Sequence, residues 1–166
     1  MGKIVFKSEL RSIVSQIRKS GKKIVTTNGA FDLFHKGHVK SLKFAKEKGD
    51  LLVVCLNSDE SIKKYKSEKR PIIPQQERAE IVASNIYTDY VTIFDEKTPI
   101  KILELIRPDI HVKGSEYSKR LAEKEVVEKH GGQVVFMERD PNDTSTTKII
   151  NKIIKLYGDS HEDKCN

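Results

Sequence analysis

Six consecutive apolar residues, LLVVCL at positions 51–56, constrain this chain more than any other local pattern. Gly49-Asp50 precedes the run and Asn57-Ser58-Asp59 follows it, so it has the length of one strand. Successive side chains of a strand point to opposite faces, and an unbroken apolar run therefore has no face to give to water. It reads as a middle strand covered on both sides. The flanking segments agree. Leu10, Ile13, Val14 and Ile17 recur at helical spacing and predict a first helix ending near Gly21. A strand begins at Ile24-Val25. Val39, Leu42 and Ala45 mark one face of a helix over 37–48, closed by Gly49. Pro74 opens another helix carrying Arg78, Ile81 and Val82. Strands over 90–94, 110–113 and 133–137 then alternate with helices over 99–106, 121–129 and 146–157. Such alternation implies βαβ units, hence an α/β fold: a three-layer α/β/α sandwich around a mainly parallel five-stranded sheet. One domain over 1–158 is expected, with the polar 159–166 as a disordered tail.

The 166 residues are 37% hydrophobic and 33% charged, the composition of a globular protein with a heavily charged surface. No apolar stretch approaches the ~18–20 residues of a membrane span, so no membrane partner is expected. The opening MGKIVFKSELRS lacks the apolar core of a signal peptide. Cys55 and Cys165 form no paired motif, which suits a reducing compartment. A cytoplasmic protein is expected. The net charge of +7 raises nucleic acid as a partner. The lysines are spread along the chain, however, and no aromatic platform interleaves with them. The densest cluster, Lys63-Lys64-Tyr65-Lys66 with Lys69-Arg70, is short. A site for small polyanions accounts for it as well as RNA does, and no nucleic-acid partner is expected.

Between the strand over 23–27 (KIVTT) and the following helix lies NGAFDLFHKGH, residues 28–38. Two histidines three apart bracket a glycine on a strand-to-helix turn. Neutral imidazole carries one donor and one acceptor, and imidazolium two donors. Gly29 and Gly37 allow positive φ or close approach of backbone to a ligand. A helix N-terminus adds free N–H groups and a positive dipole end, which suits phosphate. Zinc would want three or four ligands at matched spacing; His111, His130 and His161 are scattered, so no protein-held metal is expected. In parallel α/β sheets ligands sit beyond the carboxyl ends of the strands, where strand order reverses. His35 and His38, Asn57-Ser58-Asp59, Lys113-Gly114-Ser115 and Arg139 all fall at such ends.

The stretch 27–38, with its glycine, small residue, Phe31-Asp32 and then His35-Lys36-Gly37-His38, resembles the signature of the cytidylyltransferase-like nucleotidyltransferases. Ser145-Thr146-Thr147-Lys148, opening the last helix, resembles the family's second motif. The likeness covers residues 23–154 and implies a Rossmann-like sandwich. Asn57-Ser58-Asp59, Arg70-Pro71 with Glu77-Arg78, Lys97-Thr98-Pro99, Arg107-Pro108-Asp109 and Val112-Lys113-Gly114 are most similar to one branch, the adenylyltransferases acting on D-glycero-β-D-manno-heptose 1-phosphate. That domain is often fused behind a sugar kinase; here it is expected to stand alone. Ala30 replaces a cysteine common in the branch, and Ser115-Glu116 replaces a Gly-Asp pair.

The resemblance implies attack by a sugar-phosphate oxygen on the α-phosphorus of ATP, with pyrophosphate leaving and no covalent intermediate. His35 and His38 are expected to donate hydrogen bonds to phosphate oxygens, the bland reading of His38 being a helix-cap contact. Lys66 is expected at the α- and β-phosphates, with Lys63 and Lys64 as rivals. Asn28, Gly29, Ala30, Phe31, Asp32 and Gly37 shape the nucleotide-binding turn. Arg78 either helps hold the site or is a structural ion-pair residue with Glu77 or Asp32. Lys113, Gly114 and Arg139 lie near the expected base and phosphate positions. Ser145, Thr146 and Thr147 either cap a helix or hold the departing pyrophosphate as well. Mg²⁺ is expected to arrive with ATP rather than in a protein cage. A homodimer is the family-level expectation. The alternatives are a cytidylyltransferase for glycerol 3-phosphate or another polyol phosphate, and a basic RNA-binding or regulatory module on the same fold.

Overall fold

The computed structural model describes residues 1–118 and 121–158; the tail expected over 159–166 lies outside them. In chain order the elements are β1 (Lys3–Ile4), α1 (Lys7–Lys19), β2 (Ile24–Gly29), α2 (Lys36–Lys46), β3 (Leu51–Asn57), α3 (Asp59–Tyr65), α4 (Gln75–Ala83), β4 (Tyr90–Phe94), α5 (Ile100–Ile106), β5 (Ile110–Gly114), α6 (Glu123–Lys129), β6 (Gln133–Met137) and α7 (Thr146–Tyr157). A short 3-10 turn, Ser115–Tyr117, follows β5. The strands form one sheet in the order β1-β4-β3-β2-β5-β6, every neighbouring pair parallel.

β3 behaves as its apolar run demands. Leu52, Val54 and Leu56 enter one core with Leu42 and Ala45 of α2 and Ala79, Val82 and Ala83 of α4. Val53 and Cys55 enter the other, with Leu10, Val14 and Ile17 of α1 and Ile102 and Ile106 of α5. Each of the valine, leucine and isoleucine side chains contributes ~1.5–3 kcal/mol when fully buried. The Cys55 thiol, fully enclosed, is pushed up to about 12 by burial and has no reactive thiolate at neutral pH.

Six strands stand where five are expected. The extra one, β1, is two exposed residues at the sheet edge, with Lys3 opposite Tyr90 and Ile4 opposite Val91. Two residues carry no periodicity, so only the neighbouring β4 reveals it. α3 is a second addition inside the basic stretch. Ser58 caps it, its hydroxyl accepting from the Ser61 N–H at 3.1 Å. The chain leaves β2 toward β3 on one side and reaches β5 on the other, so strand order reverses between β2 and β5. Lys113 Nζ of β5 donates to Asn28 Oδ1 of β2 across this crevice at 2.7 Å.

Candidate active site

The turn after β2 is bent by left-handed backbone at two non-glycine residues, Phe31 (φ 50°) and Leu33 (φ 44°). Such conformations cost ~1–2 kcal/mol each and persist only when surroundings hold them. Asp32, between them, is the hold. Its side chain is completely buried and accepts from the N–H groups of Ile72 and Ile73 at 3.1 Å and from Arg70 Nε at 2.7 Å. Burial pushes the carboxyl up, but the Ile73 and Ile72 N–H groups and then Arg70 outweigh it and keep it below the usual carboxylate range. Thr146 Oγ1 donates to the Asp32 carbonyl at 2.9 Å and ties the start of α7 to the same turn.

Arg78, expected to help hold the nucleotide site or to pair with Glu77 or Asp32, reaches neither of those carboxylates and no part of the cleft surface. It is fully buried beneath the turn and does not line the cleft. Nη1 donates to the carbonyls of Ala30 and of Asn57 (3.0 Å), Nε to Ile73 O at 2.9 Å, and Nη2 to Asp59 Oδ1 at 2.7 Å. Its ion-pair partner is thus Asp59, and its carbonyl partners belong to three separate segments around the site. These bonds tie the three segments to one another.

His35 caps α2. Its Nδ1 accepts from the Gly37 N–H at 3.1 Å, while His38 Nδ1 accepts from the His35 N–H at 3.4 Å. The cap reading and the chemical reading are therefore compatible. An Nδ1 used as an acceptor leaves neutral imidazole with its proton on Nε2. The rings stack at 3.8 Å, tilted by 23°, with Phe31 and Phe34 at 5.0 and 5.4 Å from His38. Burial, then His35, Arg139 and Lys66, depress His38 to about 3, with Asp32 opposing. Burial and Arg139 also lower His35. The pair is neutral at pH 7, two Nε2–H donors fixed side by side. Gly37 is needed for this: a Cβ there would sit 3.0 Å from the His35 ring and 3.1 Å from the Thr144 carbonyl.

The histidines line a cleft of about 900 Å³ at the carboxyl ends of the strands. Asn28, Gly29, Ala30, Phe31, Asp32 and Gly37 line it, as do Lys113, Gly114, Arg139, Ser145, Thr146 and Thr147. At its β6 side Ser145 caps α7, its Oγ accepting from Lys148 N–H at 3.2 Å. The loop before α7 is pinned to α2 by Lys40, which grips both carboxylate oxygens of Asp143 at 2.6 and 2.7 Å. Lys148 points back to the carbonyls of Pro141 (2.6 Å) and Asp143 (3.0 Å). Arg139 pairs with Glu116 at 2.9 Å, and Lys113 with Glu123 at 3.2 Å.

On the β3 side, Lys66 follows α3 directly. Of the three rival lysines it alone lines the cleft: Lys63 pairs with Glu60 and Lys64 reaches the Asp95 carbonyl. Burial, then the Arg70 charge, lowers its pKa. Tyr65 and Arg70, expected only as members of the basic polyanion cluster, also line the cleft, as do Tyr117 and Lys97. Arg70 has two signals in the sequence, the basic cluster and the Arg70-Pro71 segment, but nothing local separates it from the neighbouring lysines. Among the described residues no group of three or more His, Cys, Asp or Glu could hold a metal ion, and no helix is long and apolar enough to cross a membrane.

Comparison with known proteins places these features in a wider set. The cytidylyltransferase-like family model matches residues 26–152. The bifunctional protein HldE of Geobacter sulfurreducens is 48% identical over 151 residues, covering 90% of this chain but 31% of that protein. The chain thus spans about a third of the length of such relatives. The crystal structure of a lipopolysaccharide core biosynthesis protein from Thermoplasma volcanium superposes with a TM-score of 0.60 at 27% identity, covering 74% of this chain and all of that one. Pantoate-beta-alanine ligase from Francisella tularensis shares the fold, with a TM-score of 0.63 at 19% identity over 96% of this chain and 80% of its own.

Proposed function

This chain belongs to the cytidylyltransferase-like family, and on that premise we propose that it transfers AMP from ATP to D-glycero-β-D-manno-heptose 1-phosphate, releasing pyrophosphate. The observation that carries the chemistry is the stacked, neutral His35–His38 pair at the crevice between β2 and β5. Displacement at the α-phosphorus builds negative charge on the phosphoryl oxygens, and fixed donors aimed at those oxygens lower the barrier without reorganising. Two Nε2–H groups supply such donors. The nucleophile is an ionised phosphate oxygen, so no general base is required and low histidine pKa values are no handicap. The acceptor oxygen forms its bond to the α-phosphorus as the bond to the bridging oxygen breaks, and the electron pair leaves with pyrophosphate.

The start of α7, with Ser145, Thr146 and Thr147, and the Arg139 guanidinium suit the β- and γ-phosphates. Arg139 would exchange its Glu116 partner for them. Lys66 suits the transferring phosphoryl. Mg²⁺ belongs to the reading as a companion of the nucleotide, neutralising phosphate charge; Asp32, whose oxygens are already engaged, is not offered to it. The heptose branch is supported by the segments at 57–59, 70–78, 97–99 and 107–114, and by the Thermoplasma neighbour's description as a lipopolysaccharide core biosynthesis protein.

The experiment is pyrophosphate release with Mg²⁺, pairing ATP or CTP with heptose 1-phosphate or glycerol 3-phosphate. Turnover only with ATP and the heptose is expected. Turnover only with CTP and glycerol 3-phosphate keeps the mechanism and replaces the substrates. Silence in every pairing, together with tight salt-sensitive RNA binding, would overturn the enzyme reading.

A further inference from the structure

Arg70 holds a position that the nucleotide does not explain. Its side chain is 13% exposed, and Nε donates to the fully buried Asp32 carboxylate at 2.7 Å. Nη2 is buried with no hydrogen-bond partner among the described residues. A buried guanidinium nitrogen left unmatched costs ~1–3 kcal/mol or more, so a site that tolerates one is built for an absent acceptor. Asp32 already receives two backbone N–H groups, so it holds Arg70 in place without fully engaging it. Arg70 also lines the cleft and crowds Lys66 with like charge. Two cations brought together beside an open cleft favour an anion between them.

The topology says which anion. The segment 66–73 follows β3 and α3, on one side of β2, whereas Arg139 and the start of α7 follow β6, on the other. His35 and His38 follow β2 itself. In-line displacement places nucleophile and leaving group on opposite sides of the phosphorus. If the pyrophosphate leaves toward α7, the attacking phosphate enters from the β3 side. We propose that Arg70, held by Asp32 through Nε, seats the phosphate of the acceptor through Nη2. This inference rests on the proposed reaction. A guanidinium suits the task because it presents donors in a rigid fork, one edge for Asp32 and another for the phosphate.

The test compares the wild-type chain with Arg70→Lys and Arg70→Gln in steady-state pyrophosphate release, using whichever sugar phosphate the wild type turns over. The expected result is a rise of ~10-fold or more in KM for the sugar phosphate, with KM for the nucleoside triphosphate changed less than ~3-fold. Calorimetric ATP affinity should likewise stay within ~3-fold of the wild-type value, since the Ile72 and Ile73 N–H groups still hold Asp32. Equal increases in both KM values, or an unchanged sugar-phosphate KM, would overturn the proposal in favour of a purely structural Arg70–Asp32 pair. Thermal melting checks folding, and Arg70→Lys retains a cation beside Asp32 if Arg70→Gln unfolds. If the wild type turns over no acceptor, the reaction fails as a reading. The seat is then judged by inorganic phosphate binding in the presence of a non-hydrolysable ATP analogue. Weaker binding in Arg70→Lys supports it, and equal affinity in the two proteins overturns it.

Discussion

A histidine can serve phosphate as a cation or as a neutral donor, and His38 is held to the second role by the backbone beneath it. Nδ1 accepts the His35 N–H, burial and neighbouring cations depress its pKa to about 3, and the proton therefore sits on Nε2. Nitrogen-15 NMR should show one neutral Nε2–H tautomer for His38 from pH 5 to pH 8. An imidazolium signal near pH 6 would contradict that assignment. Replacing His38 with Ala should lower kcat ~10²-fold or more in a folded protein, the loss expected for one charge-stabilising donor; near-normal turnover would remove it from the mechanism. Arg78 should behave oppositely. Arg78→Leu strands Asp59 and the carbonyls it satisfies, and urea unfolding should report ~3–5 kcal/mol of lost stability. Unchanged stability with lost activity would return Arg78 to substrate contact. The strand-to-helix turn that carries the histidines was legible from spacing, because the motif is local, while their role in phosphate chemistry came from the family resemblance. The burial of Arg78 was not legible, since its partners lie as far as 48 residues away.

At the level of elements, α7 matters through its first turn. None of its residues is buried, and Ile153, Ile154, Leu156 and Tyr157 are exposed. What ties its start to the site is the Ser145 cap and the Thr146 hydroxyl on the Asp32 carbonyl. Thr146→Val removes that tie while keeping the shape of the side chain. It should raise KM for the nucleoside triphosphate ~5- to 10-fold and leave circular dichroism unchanged, the scale of one net hydrogen bond. No change in KM would show that the helix start finds its place without Thr146. The bounds of α7, β4 and β6 were readable to the residue, because helical periodicity with Gly158 marks α7, Gly131-Gly132 precedes β6, and Asp89 and Asp95 bracket the apolar β4. α3 was not read at all. Its sequence, DESIKKY, presents mostly charge, and Ser61 and Ile62 are the residues that bury it.

Among the described residues, burial disfavours the charged form most in two histidines, His38 and His111. His111, wholly enclosed in β5 with Nδ1 on the Thr26 hydroxyl at 2.8 Å, is pushed down to about 3 by burial and then by Lys113, as low as His38. Unfolded, each titrates near 6.5. Between about 6.5 and 3 the unfolded chain therefore binds protons that the folded one refuses, and stability falls with falling pH by up to ~1.4 kcal/mol per unit for each histidine. Asp32, with its lowered pKa, acts in the same direction at the acid end. Urea midpoints at pH 7, 6 and 5 should decline in that order; a flat or rising series would mean that one of these rings charges in the folded state. By itself the sequence determined the α/β class, the parallel sheet and the two motifs at its carboxyl end. Those follow from periodicity and turn chemistry, which act over a few neighbours. The tertiary structure decided which cations meet in the cleft, which arginine is buried beneath it and which nitrogen of each histidine is left to donate. The buried arginine and the cations of the cleft depend on contacts between segments far apart in the chain, whereas each histidine nitrogen is fixed by a backbone N–H two or three residues away, a geometry that only the folded turn displays.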